Sequence, residues 1–333
     1  MVEAQSPAAE ALVPLGRSGL RVSPLGVGTW AWGDRLIWGY GRGYTAADLQ
    51  AAFQASVAAG VTFFDTAEIY GWGTSERLLG RFLAGESHGA SQTGAGGDTE
   101  RASSGSRPVL ATKFFPFPWR LRRQSLLRAL RGSLRRLGMA PVDLYQIHWP
   151  FPPVPIDTWV DGLAEAVEQG LTRAVGVSNY SAGQLRRAHD RLARRGIPLA
   201  SNQVQYSLLH RAPERDGVLA ACRDLGVTLI AYSPLAMGLL TGKYSLQQPP
   251  PGWRARRYPL TRIGPLVDEL SAIGEVRGGK SPSQVALNWL MAKGALPIPG
   301  AKTARQAQDN AGALGWRLTE DEVARLDQVS GAP

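Results

Sequence analysis

Eight short β-type segments alternate with helical stretches along the chain, and this alternation constrains the fold more than any other feature. The segments are LGVGTW from Leu25, VTFFD from Val61, PVLATK from Pro108, VDLYQIH from Val142, RAVGVS from Arg173, SNQVQY from Ser201, VTLIAYS from Val227 and ALPIPG from Ala295. Between them lie amphipathic runs such as TAADLQAAFQASVAAG from Thr45 and SAGQLRRAHDRLARRG from Ser181, the second opening on a serine cap and closing on glycine. Strands that alternate with helices are parallel neighbours, because a parallel pair needs a long crossover. Eight such units predict an α/β fold, a closed (β/α)8 TIM barrel formed by residues 1–333 as a single domain. A length of 333 residues would by itself suggest two domains, but barrels of this kind routinely exceed the usual domain size.

The structural competitor is a doubly wound open sheet, which calls for a glycine-rich phosphate turn after an early strand. GRGYTAADL at Gly41 is glycine-rich but lacks the G-x-G-x-x-G spacing, so the barrel is preferred. Ahead of the first segment, LVPLGRSGLRVSP has a central glycine turn and predicts an N-terminal hairpin closing the bottom of the barrel. The small, polar, Gly/Ser-rich segment 85–107 reads as a flexible loop at the end opposite the strands' C-termini, where catalysis is not expected.

A formal net charge of +10, from 37 basic and 27 acidic residues, makes a polyanionic partner worth testing. The densest basic stretch, RLRRQSLLRALRGSLRRLG from Arg120, sets Leu121, Leu126, Leu127, Leu130, Leu134 and Leu137 near helical spacing. It reads first as an amphipathic helix with a solvated basic face and second as an anion-binding surface. No nucleic-acid motif accompanies it, so no nucleic-acid partner is expected. No run of eighteen apolar residues occurs, so no membrane partner is expected either. The first residues, MVEAQSPAAEALVPLG, have neither a basic start nor an apolar core and argue against secretion. The lone Cys222 fits a reducing compartment, the cytoplasm or, in a plant or algal lineage, a plastid. Oligomeric state stays open, a homo-oligomer included, and no metal site is expected.

In a barrel the active site is built at the C-terminal ends of the strands. There the second segment ends in Asp65 with Tyr70 beyond it, the third in Lys113 and the fourth in His148. The fifth ends in Ser178 and Asn179, and the sixth carries Asn202, Gln203 and Tyr206. A free tyrosine with a pKa near 10 is a poor proton shuttle at neutrality, and an adjacent ammonium lowers that value. Lys113 is the candidate ammonium, Asp65 its counter-charge, and His148 a group able to orient a substrate carbonyl. Taken singly, Asp65 and Lys113 read as a rim ion pair, Tyr70 as a packing ring and His148 as a satisfied histidine. Their placement at successive strand ends favours catalysis. Glu68, in the same stretch, reads as a capping or solvent-facing residue.

DTAEIYG, ATK, QIHWP, GVSN, NQVQYS, AYSPL and IPGAK, in that order and over nearly the whole length, make the chain resemble the aldo-keto reductase superfamily. LGVGTWAWGDRLIWGYGRGY with DTAEIYGWGTSERLLGRF is most similar to a subgroup of cyanobacteria and plant plastids, near the pyridoxal reductases and potassium-channel β-subunits. The resemblance implies NADPH bound by the barrel without a Rossmann fold, and a tetrad of Asp65, Tyr70, Lys113 and His148 with Tyr70 as proton donor. It implies that Tyr232 stacks on the nicotinamide and that Ser178, Asn179 and Gln203 hold its carboxamide. Ser233, Pro234, Leu235, Gly238 and Lys243 would line the pyrophosphate path, with Gly28, Thr29 and Trp30 also against the cofactor.

A 2′-phosphate favours cations and helix N-terminal amides. Lys302 and Arg305, with Gly300, Gln306 and Asn310 around them, are therefore expected to receive it and to select NADPH/NADP+ over NADH. Gly300 and Gln306 occupy two positions where the family more often has basic residues, so Lys302 and Arg305 substitute for them. Trp30, Trp32, Trp38 and Trp149 predict an aromatic substrate pocket for flat or apolar carbonyl compounds. The proline-rich basic stretch from Tyr244 is a candidate lid.

The expected activity is an NADP-dependent carbonyl reductase of the alcohol dehydrogenase class, reducing an aldehyde or ketone, with pyridoxal a candidate by subgroup analogy. The alternative is an NADP(H)-sensing regulatory subunit of a partner protein, with only slow reductase turnover.

Overall fold

The computed structural model describes residues 11–85, 107–245, 248–249 and 260–331, without side chains for 260–262. The glycine-rich segment expected to be a loop falls, apart from its two ends, outside these residues, as does most of the proposed lid. A two-stranded antiparallel hairpin opens the described chain, β1 (Val13–Pro14) against β2 (Arg21–Val22). Eight parallel strands follow: β3 (Gly26–Gly28), β4 (Phe63–Asp65), β5 (Val109–Phe114), β6 (Val142–Ile147), β7 (Thr172–Ser178), β8 (Leu199–Gln205), β9 (Thr228–Tyr232) and β10 (Leu296–Ile298). Each pairs with its neighbour in sequence, from β3 to β10. A parallel bridge between Gly28 and Gly300 closes the ring, with the Gly28 amide donating to the Pro299 carbonyl at 3.0 Å. Closure needs glycine at position 28, because a Cβ there would lie 2.8 Å from the Ile298 carbonyl oxygen.

Side chains alternate across each strand, so one set faces the barrel axis and the other the helices. The inner set forms an apolar layer of Phe63, Ala111, Leu144, Ala174, Ala200, Ile230 and Leu296, and the hairpin plugs it from below with Leu15 and Val22. Two to four residues further along the strands the inner positions turn polar: Asp65, Lys113, Gln146, Ser178 and Gln203, all buried. The boundary between these layers is the floor of the site.

The basic stretch forms a helix over Arg123–Leu137, three residues later than the run of arginines begins. It buries Leu126, Leu127, Leu130, Leu134 and Leu137. Burying a leucine contributes roughly 1.5–3 kcal/mol, whereas a like-charge pair on a helix surface costs about 0.2–0.5 kcal/mol, so packing decides the helix. One arginine of its last turn ties it to the neighbouring helix, Arg136 Nε donating to the buried Glu76 at 2.6 Å. Arg120 does not join the helix. It folds back to ion-pair with Glu68, whose Oε1 also accepts the Phe115 amide at 2.8 Å. Glu68 is thus a brace between the loops after β4 and β5, not a solvent-facing residue.

Candidate active site

Asp65 ends β4, and the chain then turns through Tyr70–Gly73, where Gly71, Trp72 and Gly73 all take left-handed backbone angles. A turn closed by the Tyr70 amide on the Ala67 carbonyl at 3.0 Å returns Tyr70 over the strand ends, and the left-handed residues after it lead into the helix Thr74–Leu83. Lys113, on the inner face of β5, sits between them: its Nζ ion-pairs with Asp65 Oδ1, donates to the Thr66 carbonyl at 3.0 Å and lies 3.3 Å from the Tyr70 hydroxyl. His148, just past β6, presents its ring edge to Tyr70 with centroids 5.7 Å apart. The four residues read from successive strand ends meet at one point.

Burial of the Tyr70 phenol raises its pKa above 10, and the field of Lys113 opposes this without overcoming it. The expectation of a lowered tyrosine pKa is corrected accordingly: here Lys113 moderates a rise. At neutral pH the phenol is protonated, as a proton donor must be. Burial also works against the Lys113 ammonium, but Asp65 and then Tyr70 outweigh it and hold its pKa above the ordinary value. Burial, reinforced by the Lys113 charge, pushes His148 well below 6.5, so its ring is neutral at physiological pH. No hydrogen-bond partner for its Nδ1 occurs among the described residues.

These directions set a pH profile for any proton donation by Tyr70. The rate should stay flat from about pH 6.5 to about pH 10, with no step from His148, and fall above that as Tyr70 or Lys113 loses its proton. A pH series of kcat/KM checks this, and a half-loss near pH 6.5 would contradict the site as described.

Above this cluster lies a cavity of about 1710 Å³. Tyr70, His148, Trp30, Trp38, Trp72 and Trp149 line one part of it. Trp30 and Trp38 meet edge to face, with ring centroids 5.5 Å apart. Trp32 is the exception to the expected aromatic pocket: it is fully buried, its indole N–H donating to the Ala301 carbonyl at 2.9 Å. Residues 30–33 form a turn, closed by the Trp32 amide on the Thr29 carbonyl at 2.8 Å, and this turn sends Trp32 to the core side.

The cofactor candidates line the rest of the cavity, through Gly28, Thr29, Ser178, Asn179, Gln203, Tyr232 to Leu235, Gly238 and Lys243, and on to Gly300, Lys302, Arg305, Gln306 and Asn310. Several are already committed to one another. The Tyr232 hydroxyl donates to Asn179 Oδ1 at 3.1 Å, Asn179 Nδ2 to the His148 carbonyl at 3.1 Å, and the Ser178 hydroxyl to the Gln203 carbonyl at 2.8 Å. Thr29 turns its hydroxyl to the Asp65 carbonyl and to Ser75, so it braces the strand end rather than offering a side chain to the cavity. Ser233, Ala236, Met237 and Gly238 all have positive φ, an arrangement that costs energy and clusters at ligand-binding loops.

At the far end Thr303 caps the helix Ala304–Ala311, and Gln306 and Asn310 hold the preceding turn by bonds to the Lys302 amide and the Gly300 carbonyl. Lys302 lies 4.8 Å from the centre of the Tyr44 ring, and Arg305 is exposed beside it. A long cavity with a ring and amides along it and two cations beside a helix N-terminus has the groups that a nicotinamide dinucleotide needs.

Gln146 escaped the sequence reading. It sits two residues before His148 on the inner face of β6, and its Nε2 donates to Asp65 Oδ2 at 3.0 Å. Gln203 Nε2 donates to the same oxygen at 2.8 Å, so one of its two amide N–H groups is engaged by Asp65. The signal lay in QIH, where a polar residue precedes the histidine on the same strand face.

The model of the Aldo/keto reductase family matches residues 24–330. A chloroplastic pyridoxal reductase of Arabidopsis thaliana is 45% identical over 322 residues, covering 93% of this chain and 84% of that protein. An uncharacterized oxidoreductase of Mycobacterium bovis is 40% identical over 321 residues, 94% of this chain and 90% of its own. Among solved structures, a thermostable aldo-keto reductase in complex with the inhibitor epalrestat superimposes with a TM-score of 0.73 at 32% identity, covering 96% of this chain and 99% of that one. The glycerol dehydrogenase of Gluconobacter oxydans superimposes with a TM-score of 0.78 at 27% identity, over 97% and 95%. The barrel, the strand-end cluster and these likenesses agree: the chain belongs to the aldo/keto reductase family of oxidoreductases.

Proposed function

We propose that the protein is an NADPH-dependent carbonyl reductase, acting as one domain, with Tyr70 as the acid that protonates the carbonyl oxygen. The observation that carries this reading is Lys113 Nζ, fixed by Asp65 and placed 3.3 Å from the Tyr70 hydroxyl on the floor of the cavity. When bound, NADPH supplies a hydride to the carbonyl carbon. The chain's residues do the rest. Neutral His148 orients the carbonyl, Tyr70 gives its proton to the oxygen as negative charge develops there, and the Lys113 charge stabilises the phenolate left behind. The tryptophans around Tyr70 shield the site from water and favour a flat substrate. An aromatic aldehyde of the pyridoxal type suits that pocket, and the likeness to a pyridoxal reductase supports it. With Cys222 the lone cysteine of the sequence, a reducing compartment such as the cytoplasm or a plastid suits the chain.

Selectivity for NADPH is assigned to Lys302 and Arg305. Replacing both by alanine should weaken NADPH binding by about 10- to 100-fold, the worth of one or two charge-assisted hydrogen bonds, and leave NADH binding nearly unchanged. Tryptophan quenching on titration with each nucleotide measures this, and equal losses for the two would place the phosphate elsewhere. The reading as a whole is tested by NADPH oxidation with a panel of aldehydes that includes pyridoxal. Turnover supports the reductase. Tight binding without turnover, and a protein that co-purifies in stoichiometric amount, would favour the nucleotide-sensing alternative.

A further inference from the structure

The inner layer beneath Tyr70 contains a polar group that the proposed chemistry does not use. Gln146 is fully buried and, unlike Gln203, does not line the cavity. An unpaired amide in such a place is costly, so its bonds carry information. Its Nε2 donates to Asp65 Oδ2 at 3.0 Å, and its Oε1 lies 3.4 Å from the Ser201 hydroxyl. Gln146, Gly176 and Ser201 are in register across β6, β7 and β8. The glycine makes room for the other two: a Cβ at position 176 would lie 3.1 Å from Gln146 Cγ and 2.3 Å from Ser201 Oγ. Three adjacent strands are thus matched in size and polarity around one amide.

Asp65 receives Lys113 on Oδ1 and two amide N–H groups on Oδ2. A carboxylate accepts at both oxygens and donates at neither, which fixes the donor ends of both glutamines toward it. Without those donors the carboxylate could rotate, and its second oxygen would lose its partners in a dry layer. Gln203 faces the cofactor as well, so its position depends on what fills the cavity. Gln146 faces Asp65 and Ser201, away from the cavity.

We propose that Gln146 is a positioning residue of the proton relay, holding Asp65 Oδ2 so that Oδ1 stays on Lys113 and the ammonium stays beside Tyr70. This rests on the reading of Tyr70, Lys113 and Asp65 as that relay. The charged and titratable groups around Lys113 are Asp65 from β4, Tyr70 from the turn after it and His148 from the end of β6, with Tyr232 of β9 on the far side of Tyr70. Loosening Asp65 removes the one anion among them. The ammonium then loses its proton more readily, and the alkaline fall in rate moves to lower pH.

The test is Gln146→Met, which keeps length and volume and removes the donor, with Gln146→Asn as a second variant whose amide is one methylene too short to reach Asp65. Both are compared with the wild type for kcat, aldehyde KM, NADPH affinity by tryptophan quenching, thermal unfolding and pH profile. The expected result is a kcat lower by about 10- to 100-fold, the loss of one hydrogen bond to a charged group, with KM and NADPH affinity within about twofold. The alkaline limb should move down by about one pH unit. Wild-type kcat and an unmoved alkaline limb in either folded variant would overturn the proposal. NADPH affinity falling in step with kcat would also overturn it, by placing Gln146 in the cofactor site. Failure of the underlying reading looks different: the wild type would not reduce carbonyls, or Tyr70→Phe would leave the rate intact.

Discussion

Tyr70→Phe is expected to lower carbonyl reduction by about 10²- to 10⁴-fold, the usual worth of a positioned general acid, while NADPH affinity stays within about twofold. Only the hydroxyl is lost. The ring keeps its edge contact with His148, and the Lys113 ammonium keeps Asp65 and the Thr66 carbonyl as partners. No packing defect is introduced, so a fall in rate reports the proton and not the fold. Single-turnover reduction with saturating NADPH is the measurement of choice, because it isolates the chemical step from product release. A variant retaining a tenth or more of the wild-type rate would take the proton-donor role from Tyr70. A parallel loss of NADPH affinity would make the residue part of the cofactor site instead.

The second large effect is on stability. Asp65 and Lys113 are both buried, and breaking such a pair by removing one partner costs about 3–5 kcal/mol, because the remaining charge is left uncompensated. The two ends of the pair are not equivalent. Asp65 retains two amide donors if Lys113 is lost, whereas Lys113 retains only the Thr66 carbonyl and the Tyr70 hydroxyl if Asp65 is lost. Asp65→Asn should therefore be the more damaging single change, and Lys113→Met the milder one. The double variant Asp65→Asn/Lys113→Met should recover part of the loss, since neither charge is then stranded. Urea unfolding of the four proteins gives the coupling directly. If the double variant loses the sum of the two single losses, the pair contributes nothing through its charges and this account of the floor is wrong.

The magnitudes explain why such a costly arrangement is confined to one layer. A buried ion pair is often no more stabilising than apolar residues of the same size. The layer below, of Phe63, Ala111, Leu144 and Ile230, supplies the burial that stabilises the barrel. The polar layer is where stability is exchanged for a protonated phenol and a fixed ammonium.

Much of this was legible in the residues. Strand order followed from alternation, since each parallel strand must be followed by a helix before the next can pair. The helix Ala182–Ala193 was marked by its serine, and Ser181 does form a capping box with Gln184. Asp65, Lys113 and His148 could be placed because each closes a short β-type segment, and in a barrel the site is built where the strands end. Tyr70 could be placed only as near the site. It sits at the end of a turn from Ala67 and is followed by three consecutive left-handed backbone angles, and of those residues Trp72 carries a side chain that gives no warning of such a conformation.

Other features were not countable in one dimension. Trp32 looked like its neighbours Trp30 and Trp38, yet it packs in the core, because the turn after β3 directs it inward and its indole N–H finds the Ala301 carbonyl there. Glu68 looked solvent-facing until Arg120 folded back from what read as the start of a helix.

The sequence by itself determined the barrel, its closing hairpin and the strand ends at which acid, phenol, ammonium and imidazole collect, because hydrophobic period and crossover length are local properties of the chain. Tertiary structure decided the rest. Which way the Tyr70 pKa moves depends on how deeply the phenol is enclosed against how near Lys113 comes. The pairing of Gln146 with Asp65, and the room that Gly176 leaves for it, depend on register across strands that a whole helix separates in sequence. Burial and register are properties of neighbours in space, and no spacing along the chain contains them.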